Sequence, residues 1–537
     1  MSLSHKLTKR HMKACKKSCR KNGPAKVNAQ TQKELNTLPV STAKTTGAQY
    51  AGKQKVPGNN VTKKGIQDFF QNKGLASVLG RAARKLGFVR REGNFRPLDF
   101  LVAIITAVGL GTPMSLSKIN EFYNLQFGGS MENKPFWNRI SSDGCLSLFL
   151  FTLDQIQEKF AVQAEKCPYR EGIEAVEYLK ARGLDIEDIR LFDGTYFKVQ
   201  GELEDRYPGT RSTLKEVPLE DVFDENGNRC ADMPKNACIG FQASMSMKTG
   251  NLTTFIESAE TDNEKEYVQV DLLQLHRYLY LMDSGYYQYN LLQRIIDAGS
   301  YFLTKGRKNC AAVIKECSVW GTQRNGDPTA DSYVGMKVSD ALIKVRDFHQ
   351  SIDMNVECPN GMKLRMVAFW NKKDDQAVLL VTNIHAQQVP PSLLTDVYRI
   401  RWQIELLFKN LKSGNNLRMA SRSTNLNVLH TLLISSIIAF LLKSMTGNML
   451  SQVMKNVSFY KLHVNNSWLP KFVTCFFKGN AGKMKEIIKT LLSNKKKFQK
   501  SVQSKRKFEE HRTFESVLNS LRKSLMPTWF VEPQRLA

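Results

Sequence analysis

Acidic residues are scarce in this sequence. Fifty Asp and Glu stand against 78 Lys and Arg, a formal net charge of +28 over 537 residues. A polyanionic partner follows, nucleic acid first and an anionic membrane second. An apolar signal region is missing from the N-terminus, so the ten scattered cysteines read as reduced cytosolic thiols, with no disulfide framework. Cys15 and Cys19 lie near His5 and His11, but the spacing departs from the common zinc modules. None of the eight histidines falls in a metal or triad pattern, which argues against histidine-based chemistry. Long apolar runs are also lacking. The longest, "VLHTLLISSIIAFLL" at 428–442, falls short of the roughly 20 residues a bilayer span needs, and reads as a buried core helix with no membrane role. No internal repeat is evident.

What is present is an apolar content normal for globular folds and a length that suits two to four domains. Residues 1–62 read as a basic, disordered arm. The first 60 carry thirteen Lys or Arg and the lone acid Glu34. Residues 63–180 show apolar residues at helical spacing, broken by Gly and Pro, and are expected to form a helical DNA-binding region. Arg81, Arg84, Lys85, Arg90 and Arg91 suit DNA docking there, although a solvated basic face explains them as well. From 181 to 309 the pattern is mixed α/β. "DIRLFDGTYFKVQG" reads as a strand ending at Asp193. "ACIGFQASMSMKTGNLTTFIESAE" reads as two strands, and "KEYVQVDLLQLHRYLY" as a helix. "YLYLMDSGYY" reads as a strand ending at Asp283, then "QYNLLQRIIDAG" as a helix and "SYFLTKG" as a strand. Residues 310–390 read as a β-rich insertion, with "YVGMKVSDALIKVRDFHQ", "MKLRMVAFW" and "QAVLLVTNI" as strands. Helices are expected over 391–450, and a basic helical region over 451–537. The stretch 200–237 has no assigned role.

One helix carries a pattern of its own. "VYRIRWQIELLFKNLKSG", 397–414, places Ile400, Ile404, Leu407 and Leu411 on one side, with Phe408 beside them. At about 100° per residue, Tyr398, Arg401, Glu405 and Lys412 fall within about 60° of arc on the other. A solvated face with i,i+4 ion pairs, such as Arg401–Glu405 and Glu405–Lys409, is the plain alternative. Two further acids sit where strands are expected to run out, Asp193 in "LFDGT" and Asp283 in "LMDSGYY". Taken singly, Asp193 reads equally as a helix cap and Asp283 as a turn residue. Together with Glu405 they form a hard, oxygen-only ligand set suited to Mg2+. Two such ions can activate a water or hydroxyl and stabilise the leaving oxygen in phosphodiester transfer.

The sequence resembles the DDE transposases of the insertion-sequence 4 type, the group with a Tyr-Arg-Glu-Lys signature. Tyr398, Arg401, Glu405 and Lys412 match its Y-x2-R-x3-E-x6-K spacing, and Asp283, Gly285 and Tyr286 match its D-x-G-[FY] turn. The resemblance covers roughly residues 75–450 and includes a β-strand insertion between the second Asp and the Glu. It implies an α/β, RNase H-like catalytic core with a β-strand insertion, flanked by helical N- and C-terminal regions. It implies Asp193, Asp283 and Glu405 as catalytic metal ligands for Mg2+, with Mn2+ as a substitute. It also implies cut-and-paste DNA transposition on element terminal inverted repeats and target DNA, by a dimer on paired ends, in the cytoplasm on the bacterial nucleoid. Tyr398, Arg401 and Lys412 are then expected to contact DNA phosphates, and Lys409 and Arg399 to make general backbone contacts. Trp402 lies beside this face, placed either to stack on a base or to pack on the sheet. An RNase H-like nuclease or a repurposed, non-transposing DNA-binding protein is the alternative. An RNA-binding structural protein has only the charge in its favour.

Overall fold

The computed structural model describes residues 74–499, apart from 92, 211–235, 263–267, 269–276, 322, 373, 418–421 and 455–456, together with 517–518. The basic arm, most of the 200–237 stretch, the helix expected in "KEYVQVDLLQLHRYLY" and the far C-terminal basic run lie largely outside the described residues.

Six helices come first: α1 Leu75–Lys85, α2 Pro97–Gly109, α3 Leu116–Phe127, α4 Asn133–Ile140, α5 Asp143–Lys166 and α6 Arg170–Ala181. Their starts follow local chemistry. Pro97 occupies the first turn of α2, and the Ser115 and Ser142 side chains accept backbone N–H bonds at the starts of α3 and α5.

Nine strands follow: β1 Asp188–Lys198, β2 Cys238–Ser246, β3 Asn251–Ala259, β4 Tyr278–Met282, β5 Tyr301–Lys305, β6 Val313–Val319, β7 Ser351–Glu357, β8 Lys363–Asn371 and β9 Gln376–Thr382. They form one mixed sheet in the order β3-β2-β1-β4-β5-β9-β8-β7-β6. β1, β4 and β5 are parallel neighbours, and the other pairings are antiparallel. Two expectations are corrected here. The strand of Asp193 does not end there but continues to Lys198, because β2 pairs with it residue by residue through that point. The stretch "YVGMKVSDALIKVRDFHQ" is helical and not a strand. Val338, Ala341, Leu342 and Val345 recur at the helical period and are buried along α8, Val338–Asp347, which follows α7, Tyr289–Asp297. The strands of the insertion extend the central sheet, since β9 pairs with β5.

Strand alternation divides the core. Ile189, Leu191, Leu279, Leu281, Leu303, Val367 and Leu380 enter the larger cluster on one face. Phe192, Tyr280, Met282, Phe302, Met366 and Val381 enter the second cluster, with α7 and α8, on the other. The larger cluster also holds α9, Pro391–Arg399, α10, Trp402–Lys409, and α11, Leu426–Val453. α11 is 28 residues long, longer than its apolar run implied, and long and apolar enough to cross a membrane by composition alone. Every residue from Val428 to Ser451 is buried, with α2 and α5 packed on it, so it is the core helix the sequence implied. α12 Phe459–Val464, α13 Leu469–Phe477, α14 Ala481–Ser493 and a single-turn α15, Lys495–Phe498, follow.

Candidate active site

Register brings the two aspartates level. β1 and β4 run parallel with Asp188 opposite Tyr278 and Leu191 opposite Leu281. Two residues further along each chain stand Asp193 and Asp283. Alternation puts Asp193 on the face of Ile189 and Leu191, and Asp283 on the face of Leu279 and Leu281. That is the face against which α10 packs, and α10 lies on β1. Ile404, Leu407 and Phe408 are buried beneath α10, as is Leu411 in the turn after it, so Glu405 is presented at the same sheet edge.

The side chain of neither aspartate caps a helix, although Asp283 does open a turn, its carbonyl accepting from the Tyr286 N–H at 3.1 Å. Asp193 lies within a strand, so it caps no helix. Asp283 precedes a single 3-10 turn, Ser284–Tyr286, and its side chain makes no capping hydrogen bond. The turn is held by other groups. The Tyr286 ring is buried and packs on Phe192 at 6.3 Å, and Thr304 Oγ1 donates to the Asp283 carbonyl at 3.0 Å. Sequence reading missed Thr304, which carries no motif.

The expected single helix at 397–414 is in fact three pieces. α9 ends at Arg399, α10 begins at Trp402, and a π-type turn, Asn410–Gly414, follows. At the junction the bonds Ile400→Val397, Arg401→Tyr398, Gln403→Ile400 and Ile404→Arg401 are all of the tighter i→i−3 kind. The apolar side is as expected, with Ile400, Ile404 and Leu411 fully buried.

Arg401 is the hub of the polar side. Its guanidinium pairs with Glu405 Oε1 and reaches Asp193 Oδ2 at 3.4 Å. Burial pulls its pKa down, but Tyr398, Asp193, Glu405 and Asp283 outweigh that and hold it above the ordinary arginine value. Asp193 is pushed up to about 6. Burial is the main cause, opposed by Arg401 and reinforced by the charges of Glu405 and Asp283. One guanidinium therefore does not neutralise the three carboxylates.

The other signature residues are placed as follows. Tyr398 Oη donates to the carbonyl of Met282 at 3.2 Å, directly before Asp283, so phosphate donation would require exchanging that bond. Lys412 Nζ donates to the Tyr196 carbonyl on β1 at 3.2 Å. Lys409 lies 5.2 Å from the Tyr460 ring centroid, and Arg399 pairs with Asp396. Trp402 is 56% exposed, so it does not pack on the sheet.

Among the described residues, no three His, Cys, Asp or Glu side chains stand close enough to form a ready metal cluster. The donor set nevertheless fits a hard divalent ion. It is all oxygen, short of positive charge, and divided by one cation, Arg401, whose departure would let Asp193 and Glu405 share a ligand.

Comparison with known proteins bears on the same region of the chain. Residues 185–442 match the family described as transposase DDE domain, a span that includes Asp193, Asp283, Glu405 and the four-residue signature. A transposase for insertion sequence element IS1151 from Clostridium perfringens is 21% identical over 470 residues, 80% of this chain and 91% of that protein. Residues 185–442 are thus similar to a transposase DDE domain, and most of the chain is similar to an insertion-sequence transposase.

Proposed function

We propose that this DNA transposase works by cut-and-paste: hydrolysis at the element ends, then attack of the freed 3′-hydroxyls on target DNA. The observation that carries the reading is the level placement of Asp193 and Asp283 on parallel neighbours, with Glu405 joined to Asp193 through Arg401. The strand order β3-β2-β1-β4-β5, with β1, β4 and β5 parallel, supports an RNase H-like core. The uninterrupted Tyr398, Arg401, Glu405, Lys412 spacing supports the insertion-sequence 4 type. Residues 63–180 and 451–537 then flank the core as DNA-binding and end-pairing regions.

Asp193, Asp283 and Glu405 would hold Mg2+, or Mn2+ in its place. When bound, the metal would activate the attacking oxygen and stabilise the leaving one. The chain's own groups do the rest. Arg401, released from Asp193 and Glu405, grips a phosphate with its planar fork. Lys412 adds a point charge further along the strand. The Tyr398 bond to the carbonyl of Met282 holds α9 against the strand end that presents Asp283. Two ends cut and joined in one event require two such sites, hence a dimer on paired ends, working on the bacterial nucleoid.

The experiment is incubation of the purified protein with Mg2+, a donor plasmid carrying the native flanking repeats, and a target plasmid. Excised donor backbone and end-joined target product are expected. Cleavage with no joined product would move the assignment to an RNase H-like nuclease. Binding with neither product would mark a repurposed DNA-binding protein.

A further inference from the structure

Lys443 lies in the middle of α11 with none of its surface exposed. Its ammonium donates to three backbone carbonyls, Gly109 at 2.5 Å, Gly414 at 2.8 Å and His463 at 3.0 Å. Each acceptor lies at the carboxyl end of a helical element. α2 ends at Gly109, the π-type turn ends at Gly414, and α12 ends one residue beyond His463. Such ends carry unpaired carbonyls and partial negative charge. Three of them converging make a site for a cation with three N–H bonds, which an ammonium has and a neutral amine lacks. Burial pulls the Lys443 pKa down to about 7, and no carboxylate acts on it among the described residues. His463, the other titratable group at the site, is held well below the ordinary imidazole value by burial and by Lys443.

The same turn is braced from other sides. Asn415 donates to the carbonyl of Asn410 at 3.0 Å, and Ser436 donates to the carbonyl of Asn415 at 2.7 Å. Gly111, at φ +71°, approaches so closely that a Cβ there would meet the Gly414 carbonyl at 3.0 Å and that of Ser413 at 3.1 Å. Two residues before Gly414 stands Lys412, whose Nζ reaches the carbonyl of Tyr196, three residues beyond Asp193 on β1.

We infer that Lys443 is a positioning residue: its buried ammonium ties the turn carrying Lys412 to the ends of α2 and α12, and so holds Lys412 toward the strand of Asp193. The inference rests on the reading of Lys412 as a phosphate contact.

The test is affinity for an end-repeat duplex across a salt series, for full-length wild type, Lys412→Ala, Lys443→Met, the double variant and Gly111→Ala, each checked by thermal melting. Lys412→Ala is expected to lower the salt slope by about one unit. The loss of affinity between 50 and 200 mM salt then becomes about three- to fourfold smaller. Lys443→Met is expected to give the same change, with no further change in the double variant. Gly111→Ala, which pushes the turn without touching the ammonium, is expected to match it. A folded Lys443→Met with the full wild-type slope overturns the inference, as does a double variant that loses two units. If Lys443→Met does not fold, Gly111→Ala decides: a one-unit loss supports the inference and a full slope overturns it. An unchanged slope in Lys412→Ala sinks the phosphate reading itself, and the inference with it.

Discussion

Two arginine–aspartate pairs in this molecule share their chemistry and differ in what surrounds them. Arg365 on β8 meets Asp353 on β7 with both forks engaged, Nε to Oδ1 at 2.9 Å and Nη2 to Oδ2 at 2.8 Å. Its remaining nitrogen Nη1 donates to the carbonyls of Ile384 and Val389 at 3.1 and 2.8 Å, in the loop that leads into α9. Both side chains are almost wholly buried, 5% and 8% exposed. Arg401 instead reaches Asp193 through one nitrogen at 3.4 Å, shares itself with Glu405, and stands beside a third acid. The first pair is saturated, since every partner it needs is already there. The second has more negative charge than its cation can satisfy. Saturation is what a group that holds the fold needs, and the deficit is what the proposed binding of cations and phosphates would relieve.

The largest effect expected from breaking this contrast is on activity. Asp193→Ala, Asp283→Ala and Glu405→Ala should each reduce DNA cleavage and joining to background, with the fold kept and DNA affinity close to wild type. Gel assays of the two products beside a binding curve would show it. Substantial Mg2+-dependent cleavage by any one variant would remove that residue from the ligand set.

On the saturated side the loss should fall on the fold. Arg365→Met leaves Asp353 charged and buried and leaves two carbonyls without their donor, a change worth about 3–5 kcal/mol. Adding Asp353→Leu should restore much of it, because the uncompensated charge disappears. Chemical denaturation of the two variants measures both numbers. A single variant as stable as wild type would mean that Asp353 finds another partner.

The site should show the opposite sign. Asp193, raised from 3.8 to about 6, holds a proton more readily folded than unfolded. Its ionisation therefore costs stability as pH climbs from about 4 to about 6, and the full cost persists above that. Asp193→Asn should leave melting unchanged near pH 4. At pH 7.5, without divalent metal, it should stabilise the inactive protein by about 1–3 kcal/mol. Equal melting of the two proteins at both pH values would show that Asp193 carries no such strain.

The two pairs also differed in how far the sequence revealed them. That Asp193, Asp283 and Glu405 come to the same region was legible because each sits on an element recognisable from local pattern. The strands of the core were legible from period-two alternation, although Asp193 proved to lie inside its strand, since pairing with β2 cannot be read from β1 alone. The helix α8 was misread because three of its apolar residues, Val338, Ile343 and Val345, are β-branched. The break at Ile400–Arg401 was hidden by unbroken apolar periodicity. Arg365 and Lys443 left no trace in the sequence, because most of their partners are backbone carbonyls from distant segments.

The smallest effect sharpens the comparison most, because it concerns Arg401 itself. If Arg401 were a second Arg365, removing it would cost several kcal/mol of stability. If it only formed a surface pair with Glu405, removal would cost about 1 kcal/mol or less and leave DNA binding unchanged. The deficit reading predicts a third result. Arg401→Ala should melt within a few degrees of wild type, because Ile400, Ile404, Leu407 and Leu411 supply the packing on the opposite side. Its loss should fall on DNA, lowering the salt slope of binding by about one unit. Arg401→Lys should keep the charge and most of the slope, yet remain impaired in joining, because an ammonium cannot reproduce the planar fork on phosphate. Melting, a salt series and a joining assay on these two variants separate the three outcomes. A clear fall in melting with full DNA affinity and activity would return Arg401 to the company of Arg365.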